Sequence, residues 1–231
     1  MKTIGMIGGM SWESSSLYYQ LINREVRKRL GRMHSAKSLM YSFDFDEIDR
    51  LQTAGNWAEA TDFMVTVGAT LSRGGADFLM ICCNTMHRMA DAVQKAAGVS
   101  LLHIADPLGV RIRTDGLSRV GLLGSRFTME QDGIIRGRLA HTYNVETIIP
   151  GETDRAAVHG VIVEELVRGK FTDSSRALYR GIMAKLVAKG AQGVILGCTE
   201  IPLLVKPGDA TVPLYDTTAL HAMAAVDMAL G

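Results

Sequence analysis

Three cysteines, two tryptophans, five prolines and an aromatic share of 6% are all that this 231-residue chain carries of the residues that most often announce a special architecture. An odd and low number of thiols without a secretory leader disfavours a disulfide framework, so the cysteines are expected to be reduced and available for chemistry or for packing. Neither sign of charge dominates: 25 basic residues stand against 24 acidic ones, for a formal net charge of +1. Such balance argues against nucleic acid or a membrane surface as the main partner and favours a small molecule. No apolar run reaches the roughly 18 residues that a membrane span needs. The opening MKTIGMIGGMSWESSS meets glycines after a few apolar residues, so a cytoplasmic protein is expected.

What the chain does have is rhythm. Short apolar runs alternate with longer stretches of helical periodicity, the pattern of parallel α/β units, and the length suits one large or two small domains. KTIGMIGG (2–9) reads as a strand, with Ser11 placed to cap a helix that ends at Gly31. SAKSLMYSFD (35–44) is a second strand, 45–60 a loop and short helix, 57–74 a helix, and 76–83 a strand followed by a helix from about Thr85 to Ala97. VSLLHIAD (99–106) is expected as another strand. The cycle then restarts at RVGLLGS (119–125), continues through strand VETIIPG and helices near 155–169 and 174–190, and reaches strands GVILGC and VPLYD.

The restart is an internal repeat. GADFLMICCNT (75–85) lies over GAQGVILGCTE (190–200) without a gap, pairing Cys83 with Cys198 at an offset of 115 residues. TIGMIGG (3–9) lies over RVGLLGS (119–125) at an offset of 116, and the Asp106 and Asp216 ends of HIAD and PLYD match more loosely. Each half therefore places one cysteine at the carboxyl end of a central strand, where open parallel sheets bind ligands. Cys82 points to the other strand face, lacks a counterpart in the second half and is read as core packing. The glycines of GMIGGM do not fit the dinucleotide fingerprint G-x-G-x-x-G, and neither the histidines nor the cysteines show metal-ligand spacing. No metal and no other cofactor is expected. His87, four residues after Cys83, is read as a structural group rather than an aid to the thiol.

CNTMH at 83–87, GCTEIPLL at 197–204, the opening IGMIGGMSWESS and GSRFTMEQD at 125–132 together resemble the aspartate/glutamate racemase family over essentially the whole chain. The resemblance implies an α/β fold of two pseudo-symmetric lobes, each a mostly parallel sheet flanked by helices, with the active site in the cleft between them. It also implies racemisation without pyridoxal phosphate. The lobes are expected at 1–102 with 212–231, carrying Cys83, and at 103–211, carrying Cys198.

Inverting Cα requires taking a proton from one face and delivering one to the other, for which two thiols suffice. An unperturbed thiol titrates near about pH 8.5, close enough to neutrality to serve as acid or base. Helices starting after each cysteine would offer N–H groups to the substrate α-carboxylate and to charge developing on it. The candidate catalytic pair is Cys83 and Cys198, and the candidate substrate-binding set is Met10, Arg50, Gln52, Asn84, Thr85, Thr128, Lys170, Thr199 and Glu200. By the resemblance, members acting on acidic amino acids bind the side-chain carboxylate with an Arg and a Lys near Arg50 and Lys170, here expected in loops. Because both thiols are kept, turnover in both directions is expected. The reading is an aspartate racemase; a glutamate or broad-specificity racemase, a decarboxylase or other isomerase, and a non-catalytic binder of acidic metabolites are the alternatives. A homodimer is carried as the candidate assembly.

Overall fold

A computed structural model describes residues 1–231, which fall into two compact units, 1–104 with 221–231 and 105–220. The first unit runs β1 (Ile4–Gly8), α1 (Trp12–Leu30), β2 (Ser38–Ser42), α2 (Phe45–Ala54), α3 (Trp57–Arg73), β3 (Phe78–Ile81), a 3-10 turn over Thr85–Met89, α4 (Ala90–Ala97) and β4 (Leu101–Leu102). The second runs α5 (Ala105–Thr114), β5 (Arg119–Gly124), α6 (Arg126–Glu130), α7 (Arg136–Tyr143), β6 (Glu146–Ile148), α8 (Glu152–Glu164), a 3-10 turn over Leu166–Arg168, α9 (Asp173–Ala188), β7 (Val194–Gly197), α10 (Ile201–Leu204), a 3-10 turn over Pro207–Asp209 and β8 (Leu214–Asp216). Helix α11 (Thr217–Leu230) closes the chain, and from His221 onward it belongs to the first unit.

Both sheets are wholly parallel, in the orders β2-β1-β3-β4 and β6-β5-β7-β8. Their central strands are covered on both faces, which is why IGMIG, FLMI and VILG are almost unbroken apolar runs instead of alternating ones. The repeat is visible in the register itself. Gly5 stands opposite Leu79 in the first sheet and Gly121 opposite Val194 in the second. Those pairs differ by the same 116 and 115 positions that align the two sequences. The α/β architecture of two similar lobes is therefore the observed one.

Local signals place the helices. Ser11 accepts a hydrogen bond from Ser14 N at the start of α1, and Gly31 ends it with its N–H on the Arg27 carbonyl. Asp44 caps α2, and Gly55 leaves it in the left-handed conformation at φ 70°. Along β3, Phe78, Met80 and Cys82 pack with Tyr18, Ile22 and Val26 of α1 and with Ala222 and Val226 of α11. Leu79 and Ile81 pack the other way, with Ile48 of α2, Met64 and Val67 of α3 and Val93 of α4, and Cys83 joins that side. Gly5 suits the close approach of these strands, since a Cβ there would lie 2.8 Å from Ala76 Cβ as well as 2.5 Å from Leu79 Cδ2.

The structure corrects four expectations. The strand expected at 99–106 shrinks to Leu101–Leu102, because α5 begins at Ala105 and takes in Asp106. That carboxylate is held bidentately by Arg138, at 2.6 and 2.8 Å, and by Tyr143 at 3.0 Å, while Pro107 sits in the first helical turn where its missing N–H costs nothing. Segment 212–220, expected with the first lobe, belongs to the second unit, because Leu214 pairs with Val194 and Val194 N donates to the Pro213 carbonyl. Arg50 and Gln52 lie within α2, not in a loop. The long helix expected after Thr85 is a 3-10 turn that passes into α4 only at Ala90.

Candidate active site

In the first unit the chain leaves β3 at Ile81 and turns at once. Cys82 N donates to the Ile7 carbonyl and the Cys82 carbonyl accepts from Ser14 Oγ at 3.0 Å, so this residue is locked between β1 and α1. Its thiol is fully buried, and burial, followed by the nearby Cys83, pushes its ionisation upward. Cys82 is thus a packed thiol and no nucleophile at neutral pH. Cys83 is half-buried; its carbonyl accepts from His87 Nδ1 at 2.8 Å, and His87 N donates to the Asn84 carbonyl at 3.1 Å. Asn84 and Thr85 are buried beside it. Gln52 Nε2 reaches Met86 Sδ at 3.5 Å, and Met10 and Met86 belong to the apolar cluster against which Cys83 packs.

The second unit repeats the arrangement with different partners. Cys198 follows β7 directly, and its thiol donates to Glu200 Oε2 at 3.0 Å. The Cys198 carbonyl accepts from Ile201 N at 3.2 Å. Thr199 and Glu200 are buried. Thr128 is fully buried at the start of α6, where Ser125 Oγ accepts from its N–H at 3.2 Å. It lies against Gly197, where an added Cβ would come 3.4 Å from Thr128 Cγ2 and 2.9 Å from the Leu123 carbonyl. Tyr179, whose hydroxyl donates to the Val158 carbonyl, has its ionisation driven upward by burial first and then by Cys198 and Glu165.

The structure thus brings together Cys83, Asn84, Thr85, Gln52 and Met10 in one unit, and Cys198, Thr199, Glu200 and Thr128 in the other. Arg50 and Lys170 are both exposed. Arg50 Nε pairs with Asp46 Oδ2 at 3.1 Å on the outer face of α2, with the two side chains 71% and 74% exposed. Lys170 is exposed at the end of a turn in which its N–H donates to the Glu165 carbonyl. Neither thiol heads a long helix: Cys83 precedes a 3-10 turn and Cys198 the four-residue α10. The helix N-termini expected to offer N–H groups to a substrate carboxylate are therefore short turns here. Glu200, read from sequence as a substrate contact, accepts a hydrogen bond from the Cys198 thiol. Ser14 and Tyr179, which touch the cysteine segments, were not anticipated. No group of three or more His, Cys, Asp or Glu residues is disposed to hold a metal ion.

An α/β unit duplicated in this way, with a thiol after the equivalent strand of each copy, has known relatives. The family described as Asp/Glu/hydantoin racemase matches residues 7–225, and the chain belongs to that family. A crystal structure of a candidate Asp/Glu racemase from Yersinia pestis superposes with a TM-score of 0.94 at 49% identity, covering 100% of both chains. The structure of an aspartate racemase homologue from Pyrococcus horikoshii OT3 gives a TM-score of 0.85 at 30% identity, again covering 100% of both. A glutamate racemase from Roseiflexus sp. (strain RS-1) is 27% identical over 164 residues, which span 68% of this chain and 56% of that protein. No helix is long and apolar enough to cross a membrane.

Proposed function

We propose that this member of the racemase family interconverts L- and D-aspartate without a cofactor, with Cys83 and Cys198 as the paired acid and base. The observation that carries the reading is the duplicated placement of a half-buried thiol just past the end of a central strand, Cys83 two residues after β3 and Cys198 directly after β7, at matched sequence register. In each direction one cysteine, as thiolate, removes the Cα proton. The other, as thiol, delivers a proton to the opposite face, and the two exchange roles for the reverse reaction. Asn84, Thr85, Thr128 and Thr199 are the polar groups assigned to the α-carboxylate, whose oxygens take up charge as the carbanion forms. Met10 and Gln52 complete the contacts on the Cys83 side. Glu200 holds the Cys198 S–H and so fixes where that sulfur sits. Arg50 and Lys170 are assigned to the side-chain carboxylate.

A broader substrate range is the second reading, and a specific observation favours it. The two cations that would select a second carboxylate are both exposed. Circular dichroism of purified protein with L-aspartate, L-glutamate and L-alanine in turn decides between the readings. Decay to zero for aspartate alone supports the first, and decay for all three supports the second. Binding without decay for any of them would make the protein a binder of acidic metabolites instead of an enzyme.

A further inference from the structure

Beneath Cys83 lies a buried group of side chains to which the racemase reading gives no task. His87, His103 and His221 are 2%, 5% and 0% exposed. The ring of His87 meets that of His103 edge-on with centroids 4.8 Å apart, and that of His221 at 5.4 Å. His221 is held in one tautomer: its Nε2–H donates to the Leu102 carbonyl at 2.9 Å, so Nδ1 accepts from the Tyr18 hydroxyl at 3.0 Å. His87 is held in the other. Its Nδ1 lies 2.8 Å from the Cys83 carbonyl, which only accepts, so the proton sits on Nδ1, and no protein group donates to the buried Nε2. Leaving a buried acceptor unmet costs stability, so packing alone gives no reason for an imidazole here.

The second half shows what the imidazole replaces. Four residues after Cys198 stands Pro202, and the Cys198 carbonyl is met by the backbone N–H of Ile201. The equivalent carbonyls are therefore held by main chain in one half and by a side chain in the other. We infer that His87 is a positioning residue for Cys83, its neutral imidazole holding the cysteine carbonyl and so fixing the turn that aims the thiol. Everything that faces the ring supports the neutral form or its Nδ1–H. Burial, then His103 and His221, hold its ionisation well below the ordinary histidine range, and only the Cys83 and Asn84 carbonyls pull the other way. A thiol displaced by about 1 Å from its working position can lose on the order of a hundredfold in rate.

The inference rests on the proposed role of Cys83, and the experiment separates the two. Asparagine places an amide N–H₂ two bonds from Cβ, where Nδ1 lies, whereas glutamine places it one bond further, nearer the position of Nε2. Exchange of the aspartate α-hydrogen into D₂O is followed in a Cys198→Ala background, where only Cys83 can act, and in a Cys83→Ala background, where only Cys198 can. His87→Gln is expected to slow exchange at least tenfold in the first background and by less than twofold in the second. His87→Asn is expected to restore the first to within about threefold. His87→Leu removes the donor while refilling the space, and it takes the place of the Gln variant should that fail to fold. Equal losses in both backgrounds, or an Asn variant no better than Gln or Leu, would overturn the inference alone. Wild-type protein that exchanges neither enantiomer would remove the racemase reading and the inference with it.

Discussion

Replacing Glu200 by Gln tests whether this carboxylate serves the thiol or the substrate. The side chain is buried, and the Cys198 thiol donates to its Oε2 at 3.0 Å. A hydrogen bond to an ionised acceptor contributes about 1.5 to 3 kcal/mol. Glutamine offers a neutral acceptor, worth about 0.5 to 1.5 kcal/mol, so if the charged bond holds the sulfur where proton transfer needs it, the loss of about 1 to 1.5 kcal/mol lowers turnover about five- to tenfold, since each 1.36 kcal/mol is a factor of ten. Glutamine keeps an acceptor of nearly the same shape, so the fold and the KM for aspartate should change little. The assay is initial-rate racemisation from each enantiomer, with kcat and KM resolved. Because the two enantiomers are equal in free energy, kcat/KM must remain the same in both directions for every variant, which checks the data internally. A Glu200→Gln enzyme within twofold of wild-type kcat, or one whose whole loss falls in KM, would refute the thiol-holding role and return Glu200 to the substrate.

Other consequences follow from the same geometry. If bound aspartate buries their charges, Arg50→Ala and Lys170→Ala should each cut kcat/KM for aspartate at least tenfold, as losing one partner of a desolvated charge pair costs about 2 to 5 kcal/mol, while sparing any activity on alanine. Equal losses on both substrates would mean a structural role. The exposed pairing of Arg50 with Asp46 is worth no more than about 1 kcal/mol and would not hold Arg50 back from a substrate. Cys82→Ala should leave racemisation within twofold while costing about 1 kcal/mol in urea unfolding, and iodoacetamide should label native protein at Cys83 and Cys198 but not Cys82; rapid Cys82 labelling would contradict its burial. Unfolding frees His87 to take up a proton near its ordinary pKa of about 6.5, which the folded state resists. Wild-type stability should therefore fall relative to His87→Asn as pH drops below about 6.5, by about 1.4 kcal/mol per pH unit until the folded pKa is reached. A constant difference between pH 7.5 and 5 would contradict that.

What the sequence made legible is what depends on local pattern. The buried central strands had to be continuous apolar runs, so FLMI and VILG could be seen and overlaid, and the two cysteines fell into register with them. Ser11 and Gly31 declared the ends of α1 through cap chemistry confined to a few residues. Edge strands were harder. β4 pairs through only two residues, and nothing in LLHIAD marks where Ala105 and Asp106 leave the strand for α5, apart from the Pro107 that a strand would not carry. The C-terminal strand β8 was assigned to the wrong lobe because the apolar pattern of VPLYD does not say which sheet it joins.

The chemistry around the thiols depended on contacts that no spacing rule reports. The Glu200 bond to Cys198 requires the turn after β7 to fold the carboxylate back over two residues. The histidine cluster joins Tyr18 to His221 across 203 positions and His221 to Leu102 across 119. Arg50 looked like a loop residue because DFDEIDRLQ carries charge without a long apolar stripe. A single buried residue, Ile48, anchors that helix.

The central claim, that one thiol serves each face of Cα, is tested most directly by following L- and D-aspartate separately in D₂O with the Cys83→Ala and Cys198→Ala proteins. Neither variant should racemise either enantiomer to a measurable extent. Each should nevertheless exchange the α-hydrogen of one enantiomer only, and the two variants should differ in which enantiomer that is, since the surviving thiol removes and returns a proton on its own face. Racemisation at the wild-type rate by either variant, or both variants exchanging the same enantiomer, would contradict the two-thiol account.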